Sequence, residues 1–200
     1  MADASSGPAT PGCHGRNPAA VTLGEIGIAR AWNVMGRDAP AVSSVVFGVD
    51  LPLTPNTTAG KDPTALWIGP ASWLVISAAP AAVPLDALRA SLAGRDAALF
   101  DVSASRVGFA LGGPQARAVL AAGCPLDLHP RAFPPGACAQ SVHDRVNALV
   151  VRVGHDDVEF VVLVARSFGR DVWHGLSRAA AEWGYTVAPA RPWPGVARRS

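Results

Sequence analysis

The chain has 200 residues, 50% of them hydrophobic and 16% charged, with a net charge of +2 at pH 7. So small a balance gives no electrostatic footprint for nucleic acid or an anionic membrane, and no basic run interleaves with aromatics. Glycine (20) and proline (18) together stay below the level of low-complexity chains, so a single packed domain is expected. Charge this sparse, against the usual quarter or so of residues, suggests that part of the surface is covered by another chain. The positive charge is almost all arginine, with Lys61 the sole lysine, which together with the abundant alanine reads as genome composition.

Residues 1–20 are rich in Ala, Ser, Gly and Pro and read as a disordered tail. Met1 to Pro8 has neither a basic n-region nor an apolar h-region, so no signal peptide is expected. A single domain is expected over 21–188, followed by a Pro/Arg-rich tail over 189–200 with Pro189, Pro192 and Pro194. Between Pro40 and Pro63 the patch Val45-Val46-Phe47 reads as a weak strand followed by a long loop. Thr64 to Gly69 and Ser72 to Ala78 are apolar runs parted by the turn signal Gly69-Pro70, and predict two strands. Pro84 then opens a helix with Leu85, Leu88 and Leu92 at helical spacing and Gly94 as its stop.

Leu99 to Ser103 and Arg106 to Leu111 predict two more strands, with Ala104-Ser105 between them. Gly112-Gly113-Pro114 opens a second helix to Ala122, with Ala116, Val119 and Leu120 on one face and Gly123 as its end. A Pro-rich loop covers Pro125 to Gly136. Cys138 to His143, Val146 to Val153 and Val158 to Ala165 predict three antiparallel strands, the last two joined through Gly154-His155-Asp156-Asp157. Ser167 is placed to cap a final helix running to about Trp183, with Phe168, Val172, Leu176, Ala179 and Trp183 along one side. Short strands and helices with hairpins among them define an α+β fold, helices packed on a mainly antiparallel sheet. No apolar stretch approaches the roughly 18–20 residues that span a bilayer.

Four groupings could carry chemistry. Cys124, His129, Cys138 and His143, spaced C-x4-H-x8-C-x4-H, have the ligand types of a tetrahedral zinc site. Cys138 and His143, however, lie five apart on one strand and so point to opposite faces, which favours ordinary buried cysteine and surface histidine. Asp101, Ser103, Ser105 and Arg106 collect at a strand–strand turn; they read as a turn in which Asp101 or Ser103 bonds nearby amides and Arg106 pairs with a carboxylate. Asp127, His129 and Ser141 have triad types, yet no G-x-S-x-G elbow is present. Gly112-Gly113-Pro114 has the form of a helix-start anion site but reads as a plain helix start, and no dinucleotide or P-loop fingerprint occurs. The tryptophans Trp73, Trp173 and Trp183 fall on apolar faces. Three cysteines, Cys13, Cys124 and Cys138, with no export signal imply reduced thiols and a cytoplasmic location.

The stretch from Gly123 through Cys124-Pro125-Leu126-Asp127-Leu128-His129-Pro130-Arg131-Ala132-Phe133-Pro134-Pro135-Gly136-Ala137-Cys138 to Gln140 closely resembles the hallmark segment of sarcosine oxidase gamma subunits. Gly69-Pro70 with Trp73-Leu74, Asp101-Val102-Ser103 with Arg106, Gly113-Pro114 with Ala116, and Arg166-Ser167-Phe168 agree in order, so the resemblance covers roughly 64–184. One departure is Ala71-Ser72, where the family more often carries an acidic residue before the tryptophan. The family is in turn similar to the folate-binding domain of the glycine-cleavage aminomethyltransferase, echoed at Asp101, Ser103, Gly113 and Ala116.

What the resemblance implies is a non-catalytic gamma subunit with no metal, cofactor or catalytic residue of its own. Its alpha, beta and delta partners, alpha most directly, would hold FAD, FMN, NAD, zinc and tetrahydrofolate. The complex would demethylate sarcosine oxidatively to glycine, giving hydrogen peroxide and formaldehyde or 5,10-methylenetetrahydrofolate. A Pro-stiffened loop costs little entropy to order, and arginine and aromatic side chains are enriched at interface hot spots. Arg131, Phe133, Arg166 and Phe168 are therefore the candidate subunit-contact residues. Rival readings are a stand-alone folate-binding protein of the same fold, a zinc-binding adaptor, or the equivalent subunit of a related N-methyl amino acid oxidising complex. A further rival, the iron–sulfur repair type, would need a lysine and a tyrosine that Pro135 to Gln140 lacks.

Overall fold

A computed structural model describes residues 12–79, 85–154 and 159–196. In chain order the elements begin with strands β1 (Gly12–His14), β2 (Val21–Gly27) and β3 (Arg30–Met35), then helix α1 (Ala39–Phe47) and strands β4 (Thr58–Ala59), β5 (Thr64–Gly69) and β6 (Ser72–Ser77). Helix α2 (Leu85–Ser91), β7 (Ala98–Asp101), β8 (Arg106–Gly112) and α3 (Ala116–Ala121) follow. The chain ends with β9 (Cys138–His143), β10 (Val146–Arg152), β11 (Glu159–Ala165), α4 (Gly169–Ala181), β12 (Tyr185–Val187) and β13 (Arg191–Pro192).

Two sheets result. The larger has the order β1-β12-β2-β8-β11-β10-β9 with β13 also on β2; the smaller has the order β4-β5-β6-β3-β7. Pairing is antiparallel except where β12 and β13 run parallel to β2. The sequence signal for the central strands is a continuous apolar run, because successive side chains point to opposite faces and both faces are covered. On β11, Phe160, Val162 and Val164 join a core shared with α3 and α4, while Val161 and Leu163 join a core between the sheets. On β6, Leu74 and Ile76 reach that same inter-sheet core, whereas Trp73 and Val75 pack toward α1 and α2. The layers are thus helix, sheet, sheet, helix, and the expected α+β class with helices on a mainly antiparallel sheet holds.

The two sheets are stitched along β9. Thr57 bridges Ala137, and the amide of Thr58 donates to Gly136 O at 3.0 Å. The Cys138 thiol lies 3.3 Å from Thr57 O and 3.4 Å from Trp67 O, and burial pushes its pKa up to about 12. It is therefore an inert weak donor rather than a thiolate. The Gln140 side-chain amide donates to Ile68 O on β5.

Several expectations are corrected. Of the proposed N-terminal tail, residues 12–14 form β1, which pairs β12, while 1–11 lie outside the described residues. The proposed C-terminal tail contributes β13 and two core residues, Trp193 and Val196, with Trp193 Nε1 donating to Thr64 Oγ1 at 2.9 Å. The valine patch at 45–47 is the end of a helix. Pro40 sits in its first turn, Ala39, Ser43 and Phe47 at i, i+4, i+8 are its buried residues, and Gly48 closes it at φ +71°. Tertiary packing there overrides the weak helix propensity of valine. Residues 103–105 form a 3-10 turn rather than the end of a strand. Ser167 makes no capping hydrogen bond and Phe168 is 47% exposed, so the buried side of α4 is Val172, Trp173, Leu176 and Ala180. The expected helix-opening Pro84 and the turn residues His155, Asp156 and Asp157 lie outside the described residues.

Candidate functional site

The Pro-rich loop after α3 is held from inside. Leu128 and Phe133 point into the helix-side core, with the Phe133 ring centroid 6.3 Å from that of Phe160 on β11. Two arginines satisfy loop carbonyls: Arg117 Nε donates to Leu128 O and Arg152 Nη1 to Phe133 O, each at 2.9 Å. Asp127 Oδ1 accepts the His129 amide at 2.9 Å, and His129 O accepts the amides of Ala132 and Phe133 at 2.9 and 2.8 Å. These bonds leave His129, Pro130, Arg131 and Ala132 as an exposed ridge on a fixed backbone.

A second surface forms where the chain passes from β7 in the smaller sheet to β8 in the larger one. Asp101 Oδ1 accepts the Ser103 hydroxyl at 2.6 Å and the Ser103 amide at 2.9 Å, as the turn reading expects. Those bonds, the hydroxyl's first, hold the Asp101 carboxyl below its ordinary pKa. Ser103 Oγ also accepts the amide of Ala31 at 2.9 Å, which ties the turn to β3. Arg30 is paired with Asp101 at 3.7 Å, and the expected pairing of Arg106 with a carboxylate is not found among the described residues. The Arg106 guanidinium is partly buried, which lowers its pKa, and its Nε finds no hydrogen-bond partner. From the far side of the turn Arg166 donates to Ala104 O at 2.9 Å and to Arg106 O at 3.2 Å. Two exposed phenylalanines flank this corner in sequence, Phe100 at 50% and Phe168 at 47%.

The four predicted contact residues therefore have three different settings. Arg131 is exposed on the loop ridge, Arg166 and Phe168 are exposed at the corner, and Phe133 is a core residue. The burial of Phe133, 5% exposed, removes it as a surface anchor; it holds the loop instead. The loop and the corner are also separate patches. Phe133 meets β11 at Phe160 and Arg166 follows its last residue, six positions on, which is about 20 Å along a strand.

The other groupings come apart. Cys138 belongs to the inter-sheet core and Cys124 to the helix-side core, His129 is on the exposed ridge, His143 is buried rather than at the surface as expected, and among the described residues no cluster of three or more potential ligands could hold a metal. The Ser141 hydroxyl contacts Cys124 Sγ at 3.8 Å, and the Asp127 carboxylate is engaged by the His129 amide, so these do not form a relay. At the start of α3 the Gln115 amide donates to Ala20 O at 3.3 Å, and Gly113, at φ +99°, has its Cβ direction blocked by that carbonyl. A backbone carbonyl thus holds the place an anion would need. A groove of roughly 420 Å³ lies beside it, over Gly24, Ala110 and Gly112, walled by the Glu159–Arg191 ion pair.

Sequence reasoning passed over Arg117 and Arg152, since nothing local marks an arginine that will meet a distant carbonyl. It also passed over Phe100, for which a signal existed. Next to the inward Leu99 on a strand, period two turns Phe100 outward.

The fold places the chain in a class. The same two-sheet arrangement occurs in the glycine cleavage aminomethyltransferase T of Bartonella henselae, with a TM-score of 0.60 at 18% identity over 86% of this chain and 48% of that one. The chain belongs to the sarcosine oxidase gamma subunit family, whose profile matches residues 36–182. It is 31% identical over 169 residues to the sarcosine oxidase subunit gamma of Corynebacterium sp. strain U-96, covering 82% of this chain and 81% of that protein. It is also 31% identical over 174 residues to the subunit gamma of an Arthrobacter species, covering 84% of each. A chain of the heterotetrameric sarcosine oxidase from Corynebacterium sp. U-96, solved in complex with pyrrole 2-carboxylate, superposes with a TM-score of 0.76 at 28% identity, over 85% of this chain and 88% of that one.

Proposed function

We propose that the chain works as the non-catalytic gamma subunit of a heterotetrameric sarcosine oxidase, a complex that demethylates sarcosine to glycine with hydrogen peroxide and formaldehyde or 5,10-methylenetetrahydrofolate. The observation that carries this reading is the match over 85% of the chain to a subunit of such a heterotetramer. In it, alpha, beta and delta subunits supply FAD, FMN, NAD, zinc and the tetrahydrofolate site, and alpha is the main neighbour of this chain. The complex works in the cytoplasm. No helix among the described residues is long and apolar enough to cross a membrane.

The chain's own part is to present shaped surface. Arg131 on its stiffened ridge, and Arg166, Phe168 and Phe100 at the β7–β8 corner, are the contact side chains. Exposed aromatic and arginine groups on backbone that is already ordered lose little freedom on docking.

Purifying the tagged chain from its native host tests the proposal, with partner masses, the visible spectrum and amine-dependent peroxide production as readouts. Yellow partners of alpha, beta and delta size that oxidise sarcosine are the expected result. A colourless monomer that binds folate by itself would overturn it, and activity on another N-methyl amino acid but not sarcosine would reassign the substrate.

A further inference from the structure

One buried polar group takes no part in either docking surface. His143 ends β9 with 2% of its surface exposed, and neither ring nitrogen has a hydrogen-bond partner. Its ring and the carboxylate of Asp144 occupy a slot between two helices. A Cβ on Gly123, just after α3, would stand 2.9 Å from the imidazole, and one on Gly175, inside α4, would stand 2.7 Å from the carboxylate. Glycine within a helix is less favourable than alanine, so α4 gives up stability to admit this pair. The turn is fixed as well: Asp144 sits at φ +53° and its amide donates to Gly123 O at 2.7 Å.

We propose that His143 and Asp144 form a proton-operated latch that fastens the β9–β10 hairpin to α3 and α4, closed when the imidazole is neutral and released when it takes up a proton. The facing groups decide the direction. From the turn comes Asp144, its Oδ2 3.5 Å from His143 Nδ1 but half-exposed and therefore screened by water. From just after α3 comes Gly123, and from α4 comes Gly175, neither of which carries a charge. Asp171 and Arg178, opposite in charge, flank Gly175 about one turn away on either side. Nothing in this set fully offsets the loss of water around an imidazolium.

Burial accordingly pushes His143 below its ordinary value of 6.5, with Asp144 pulling the other way. A depressed histidine means that the opened chain binds the proton more tightly. Closure is at full strength above pH 6.5 and weakens as the pH falls from there toward the folded value. Opening becomes about tenfold easier for each pKa unit separating the two states.

The test is amide hydrogen exchange on the full chain between pH 8 and 5, corrected for the intrinsic pH dependence of exchange. Protection over 141–148 and over α4 is expected to fall together on acidification, while the β8–β11 pairing keeps its protection. The variant His143→Gln should hold protection constant across that range. Asp144→Asn suits the left-handed turn and removes the offsetting charge, so it should make the acid loss larger than in the wild type. An unchanged pH profile in Asp144→Asn, or wild-type loss in His143→Gln, would overturn the latch. So would acid opening spread evenly over the whole chain.

Discussion

Two copies of one three-residue pattern, Arg131-Ala132-Phe133 and Arg166-Ser167-Phe168, meet opposite fates. In the loop the arginine stays in solvent and the phenylalanine enters the core. At the corner the arginine is engaged by the carbonyls of Ala104 and Arg106, and the phenylalanine is left outside. The cause lies in what stands nearby. Ala132 and Phe133 both donate to His129 O, which curls the loop over the open face of β11 at Phe160. Arg166 instead follows β11 directly and donates to the carbonyls of Ala104 and Arg106, and buried Gly169 starts α4 immediately after the exposed Phe168. A motif of this kind specifies groups available for contact, while the neighbouring backbone decides which of them is used up inside the chain.

The sharpest way to break this contrast is to truncate both phenylalanines. Phe133→Ala removes a buried ring and should cost about 3–5 kcal/mol in urea unfolding. Phe168→Ala should leave stability within about 0.5 kcal/mol of wild type, and its effect should appear as weaker retention of the partner subunits. Equal stability losses in the two variants would mean that the corner is packed like the loop. The arginines give a smaller contrast of the same sign. Arg152→Met leaves the Phe133 carbonyl buried and unpaired, at about 1–3 kcal/mol, whereas Arg166→Met exposes carbonyls that water can reach, at about 1 kcal/mol or less.

Much of the fold is legible in the sequence because its signals are local. Gly69-Pro70 marks the β5–β6 turn, and the apolar runs at 146–152 and 159–165 are central strands with both faces covered. The parity of Cys138 and His143 separates them across the sheet, as the structure finds. What is not legible depends on distant partners. The valines of α1 look like a strand until Leu51 N is seen donating to Ser43 Oγ and Phe47 packing toward Trp32. Trp193 reads as tail because its partner Thr64 lies 129 residues away. Of the candidate site, the sequence marks the loop and the corner as special but not their separation, which follows from the length of β11 lying between them.

The smallest effect sharpens the corner's side of the comparison. Asp101 accepts both the hydroxyl and the amide of Ser103, and its carboxyl is held below its ordinary value of 3.8. A depressed carboxyl contributes stability that is fully present above the unfolded value and is lost as the pH falls through the folded one. Asp101→Asn keeps an oxygen for Ser103 but carries no charge. Melting temperatures measured from pH 7 to 2 should therefore show the variant slightly less stable near neutrality and less sensitive to acid below about pH 4, since the titrating group is gone. Arg131→Ala on the loop ridge touches neither Asp101 nor Ser103, so it should leave the acid limb unchanged. If Asp101→Asn keeps the wild-type acid limb, the Ser103 bonds do not set the strength of the turn. The hold on the corner would then rest on Arg166 and the Ser103–Ala31 bond.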